Sequence, residues 1–168
     1  MKKLLILLLL IPSLSSSNTL PTFFSNFSGI CINGLNILES VYELASIKDW
    51  KTLPEEAKDL VRPADGGDVD AWIYKDNDTT IIIGIAERTI DGSKYSICSM
   101  AGKGGFNINV EALLSNYDLE FYDRQKQGIQ VSDMYIYSHP SFKDTYITTL
   151  GSTTQSIKTF SFSAIGIN

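Results

Sequence analysis

The stretch YSICSMAGKGG, residues 95 to 105, places Cys98 just ahead of three glycines around Lys103. Cys98 is one of two cysteines in the chain, and His139 is the only histidine. Two chemistries are open to this thiol. With His139 as its base it would be a nucleophile. Paired with Cys31 it would be half of a disulfide. The glycines also suggest a phosphate-cradling loop, but AGKGG lacks the GxxxxGK[ST] spacing that wraps backbone amides around a phosphate. They are read as a turn between a strand and a helix.

Asp65, Asp68 and Asp70 in DGGDVD could attract calcium, yet the alternating acidic ligands and twelfth-position glutamate of an EF-hand are absent. A solvated loop is the simpler reading. One histidine and two distant cysteines do not make a tetrahedral zinc set, so no metal or cofactor is assigned. The strand DMYIYSH alternates so that Tyr135, Tyr137 and His139 share one face and Met134 and Ile136 the other. If helices cover the Met/Ile face, the three rings, joined by Tyr146, form an exposed aromatic surface of the kind that binds partners. The plainer alternative packs these tyrosines against one another with their hydroxyls in water. Trp50 and Trp72 are read as packing against a helix end and the sheet, with ligand stacking as the alternative.

The compartment decides between the readings of Cys98. The chain opens MKKLLILLLLIPSLSSS, in which Lys2 and Lys3 precede an apolar run from Leu4 to Ile11 and then small residues. That order is expected of a secretory signal peptide over residues 1–17, cleaved after Ser15 or Ser17. The run is far shorter than the roughly 20 residues of a spanning helix, so no membrane span is expected once the leader is removed. Cys31 lies too far downstream to carry a lipid at the cleavage point. Two cysteines in an exported chain favour a Cys31–Cys98 disulfide over a free thiol. Loop closure over 67 residues would stabilise by about 4 kcal/mol.

The remainder, residues 18–168, is read as one domain large enough for a substantial core. Without Lys2 and Lys3 the balance is 12 basic against 19 acidic residues, a net charge of −7. Nucleic acid and anionic lipid are therefore excluded as partners of a broad basic surface.

The elements that position these residues follow from periodicity. Phe27, Cys31, Leu35, Leu38, Tyr42 and Ala45 recur at steps of three and four, which predicts a long N-terminal helix starting soon after Pro21. Gly29, Asn33, Gly34 and Asn36 lower its propensity, so it relies on packing or breaks near Gly34. The loop-rich stretch after it carries one short helical turn at residues 55–60. AWIY, TTIIIGIAER and KYSICSM then read as three antiparallel strands, the last two joined at Asp91-Gly92. VEALLSNY reads as a short helix capped by Asn109. A loop around Gly128 precedes three more strands, DMYIYS, TYITTL and FSFSAIGI.

This order predicts an α+β fold. A five- to six-stranded, mainly antiparallel sheet would carry the long helix and a short second helix on one face, in profilin-like or PAS-like layering.

The leader, FSGICINGL, IKDWKTLP, DAWIY and KYSICSMA together resemble a diffuse group of small exported proteins of Gram-negative, chiefly alphaproteobacterial, origin. The resemblance implies a periplasmic address and a disulfide and names no activity. The expected function is a non-catalytic exported module that binds a protein or small ligand through Tyr135, Tyr137, His139 and Tyr146. The alternatives are a periplasmic hydrolase or thiol enzyme using Cys98 and His139, and a structural subunit of an envelope assembly or a homodimer joined through an exposed edge strand, FSFSAIGI.

Overall fold

The computed structural model describes residues 23, 25–63, 66–76, 79–103, 117–128, 130–152 and 159–168. The signal-peptide segment, Asp65, Gly104, Gly105 and nearly all of the expected helix VEALLSNY lie outside the described residues.

The fold is dominated by one eight-stranded antiparallel sheet, not the five or six strands expected. Its strands are β1 (Lys51–Thr52), β2 (Asp70–Asp76), β3 (Thr79–Ile90), β4 (Ser93–Lys103), β5 (Glu120–Gln127), β6 (Gln130–Ile136), β7 (Asp144–Ser152) and β8 (Thr159–Ile167). The spatial order is β1-β2-β3-β4-β8-β7-β6-β5. Two meanders thus meet where β4 pairs with β8. FSFSAIGI is therefore a central strand, and an assembly contact along its edge is ruled out. The edges are the two-residue β1 and the wholly exposed β5.

The long helix is also corrected. Residues 27–47 form a π-helical turn (Phe27–Ile32), a 3-10 turn (Leu35–Ile37) and a single nine-residue α-helix, α1 (Glu39–Ile47). The break falls at Asn33 and Gly34, whose low helix propensity leaves the backbone free to follow packing. Gly34 is needed there, because a Cβ at this position would sit 2.5 Å from the Ile30 carbonyl oxygen. Phe27, Cys31, Leu35, Leu38 and Ala45 still enter the core, joined by Val41, while Tyr42 is exposed.

These segments cover one face of the sheet. Trp72, Ile83, Ile85, Cys98, Met100, Phe162, Ala164, Ile147 and Tyr137 point into that layer, where Phe162 meets the rings of Phe23 and Phe27 at centroid distances of 5.8 and 5.5 Å. The Cys31–Cys98 disulfide ties the π-helical turn to β4, with both side chains fully buried. A smaller core lies on the second face, where the 3-10 turn Glu55–Leu60 and its flanks cover part of the first meander. Leu53 and Val61 pack there on Ala71, Ile82 and Ala101. Arg62 holds this cover by pairing with Glu55 and Asp59 at 2.6 and 2.9 Å.

The hairpin between β3 and β4 turns at Asp91 and Gly92 with φ of 51° and 84°, as their residue types demand.

Candidate ligand-binding cleft

The structure separates the aromatic residues that the sequence groups together. Alternation along this segment is as read, but the helical segments pack on the face that holds Tyr137 and Ile147, and Tyr135, paired with Ile147, lies on that same face rather than the Met134 and Ile136 face. Tyr135 and Tyr137 are 7% and 6% exposed, so neither offers a binding surface. Tyr137 belongs to the main core, where burial pushes its phenol well above the ordinary range. His139 stands edge-on to Tyr137 and beside Phe142, and its Nδ1 accepts the Ser141 N–H at 3.1 Å. Burial lowers its pKa, which favours the neutral imidazole. Tyr146 pairs with Ile136 on the second face, edge-on to the exposed Tyr122, and so does not join the other three.

Two of the remaining chemical candidates, Cys98 and Asp70, have their side chains engaged structurally. Cys98 has no free thiol to act with His139, because its Sγ is bonded to Cys31. Asp70 accepts a hydrogen bond from the Tyr42 hydroxyl, and the Asp68 carbonyl accepts one from Arg88. Ala101, Gly102 and Lys103 of AGKGG belong to β4. Among the described residues no group of three or more His, Cys, Asp or Glu could hold a metal ion.

A different site is built at the β1 edge of the sheet. After α1 the chain turns at Asp49, whose φ is +53°, and enters β1. β1 pairs only with Trp72 and Ile73, so among the described residues no strand pairs with the outer edge of β2 beyond Ile73. A cleft of about 710 Å³ opens there, within the size range of small-molecule sites.

Its wall is aromatic. Trp50 lies flat on Tyr74, with centroids 4.4 Å apart and planes within 7° of parallel. Ile30, Leu44 and Ile73 add apolar surface. The Asn26 amide donates to the Tyr74 hydroxyl at 3.3 Å, which fixes the tyrosine from the π-helical turn. Burial holds the Tyr74 phenol up to about 12, so it stays protonated at neutral pH. Lys48, Lys51 and Lys75 supply positive charge to the same cleft, beside Asp49 and Asp76.

Of the two tryptophans, Trp72 is buried edge-on to Tyr42, whereas Trp50 is half-buried and lines this cleft. Sequence reasoning raised Trp50 as a stacking residue but missed Tyr74 and the lysines. The local signals were KDWK and YK. Nothing local shows that they converge, because 24 residues and a covering turn separate Trp50 from Tyr74.

Comparison with protein-family models, curated proteins and solved structures finds no match to this chain.

Proposed function

We propose that the protein is an exported, disulfide-stabilised, non-catalytic binding module that takes a small ligand in the Trp50–Tyr74 cleft. The observation that carries this reading is the cleft itself. It joins a stacked aromatic pair to charged side chains at an open sheet edge, which is the mixture of apolar wall and few polar groups that small-molecule sites use. Export is supported by the leader pattern of Lys2, Lys3 and the apolar run Leu4 to Ile11, together with a cysteine pair that is fully used. A periplasmic address follows from the resemblance to small exported Gram-negative proteins.

Two measurements test it. Fractionation of cells expressing the full chain should recover a periplasmic protein whose mass shows cleavage near Ser15 or Ser17; a full-length cytoplasmic product would refute export. A thermal-shift screen of small organic molecules should find compounds that raise the melting temperature of the wild type and not of a folded Trp50→Ala, Tyr74→Ala variant. Stabilisation that survives in this variant would move the binding site elsewhere.

A further inference from the structure

The chain is acidic overall, yet the charge around the Trp50–Tyr74 stack has the opposite sign. Lys48, Lys51 and Lys75 against Asp49 and Asp76 leave a formal excess of one positive charge. Four other cations behave differently: Lys58 and Arg62 pair with Glu55, Lys94 with Glu87, and Arg124 with Asp133. Among the described residues no ion pair involves Lys48, Lys51 or Lys75. Three lysines with no ion pair among the described residues are thus gathered at an aromatic cleft, whereas Lys58, Arg62, Lys94 and Arg124 are neutralised.

We infer that the cleft takes an organic monoanion with a flat apolar body, its charge held by Lys48, Lys51 and Lys75 and its body laid against the Trp50–Tyr74 stack. The inference rests on the cleft being the binding site. A flat apolar body matches the ring wall and the aliphatic side chains of Ile30 and Leu44. A single negative charge matches the formal excess of one, because Asp49 in the same lining would repel a polyanion. All three cations are lysines. An ammonium is a point charge and lacks the planar fork by which arginine selects carboxylates, so carboxylates, sulfonates and phosphate diesters, all monoanions, share the required chemistry.

The test uses two fluorescent probes of similar shape, anilinonaphthalene sulfonate and the uncharged phenylnaphthylamine, with the oxidised protein carrying Trp72→Phe so that Trp50 is the only tryptophan. The sulfonate should bind at one site, quench Trp50 by energy transfer and weaken with added salt. Three exposed charge contacts, each modest alone, together give it about a tenfold tighter Kd than the neutral probe. Lys48→Gln, Lys51→Gln, Lys75→Gln should erase that preference while leaving the melting curve of the protein intact. Competition with an aromatic carboxylate and an aromatic phosphate diester sorts the anion type, and inorganic phosphate should not compete.

Equal affinity for the two probes, unchanged by the lysine substitutions but lost in Trp50→Leu, would overturn the anion assignment and leave the cleft as the site. Binding of both probes that persists in Trp50→Leu, with no quenching of Trp50, would overturn the cleft as well.

Discussion

Cys31 and Cys98 are bonded across the boundary between the helical layer and β4, with Cα atoms 5.1 Å apart at a sequence separation of 67. The bond docks the π-helical turn onto the middle of the sheet, and through that turn it places Asn26 and Ile30 at the cleft. Replacing both cysteines by alanine should lower stability by about 4 kcal/mol, the loop-closure value for a bridge of this span. Chemical denaturation measures the loss. Alkylation of the unfolded, unreduced wild type should add no label; uptake of two labels would contradict the bridge.

The insertion of β8 between β4 and β7 predicts that its inward residues behave as core. Phe162 is 1% exposed and meets Phe23 and Phe27. Phe162→Ala should cost about 3–5 kcal/mol. A cost below about 1 kcal/mol, typical of an exposed surface position, would be incompatible with this strand order.

Gly84 on β3 lies under Val61, and a Cβ there would approach the Val61 Cγ2 atom to 2.7 Å. Val61 is buried and β-branched, so it has little rotamer freedom to yield. Gly84→Ala should therefore destabilise by about 1–3 kcal/mol through overpacking. Adding Val61→Ala should recover part of that loss. Simple additivity of the two changes in a double-mutant cycle would show that the residues do not touch.

Stability at high pH should track the raised phenols, Tyr42 and Tyr74 among them. The Tyr42 phenol is raised to about 12, first by the hydrogen bond it donates to Asp70 and then by burial, and burial raises Tyr74 to about 12. Both folded-state values lie above the ordinary 10.0, so the unfolded chain ionises first as pH rises. The stabilisation is complete below pH 10 and declines as pH climbs from 10 toward 12. Tyrosinate absorbance of the native protein should show late phenols, and Tyr42→Phe and Tyr74→Phe should each remove one. Ionisation of both at the ordinary value in the folded protein would refute the assigned environments.

The edge strand β5 should resist association. It carries Asp123, Arg124 and Lys126 and a register shift between Phe121 and Asp123, both of which hinder pairing with a second chain. Arg124→Val with Lys126→Val should convert a monomeric sample into oligomers by light scattering at micromolar concentration. Unchanged scattering would mean that the bulge alone protects the edge.

Local pattern determined much of this protein. The alternation of β2 to β4 and of β6 to β8, the Asp91-Gly92 turn, the short helical turn at residues 55–60 and the pairing of the only two cysteines are all legible in the sequence, because each depends on neighbours in the chain or on composition.

Tertiary structure decided the rest. Alternation along DMYIYSH says which side chains share a face but is symmetric between the two faces; the docking of residues 27–47 on the Cys98 face chose which one is covered, drawing Tyr137 into the main core, and Tyr135 is buried on the same face beside Phe121. β5 is exposed on both sides, so EFYDRQKQ has no apolar alternation to reveal it, and only its ladder to β6 makes it a strand. Cleft residues from the π-helical turn, the end of α1 and β2 come together only because β1 stops after two residues and leaves the edge of β2 open. A local code cannot report such convergence, since it follows from which long-range pairings bury the most apolar surface.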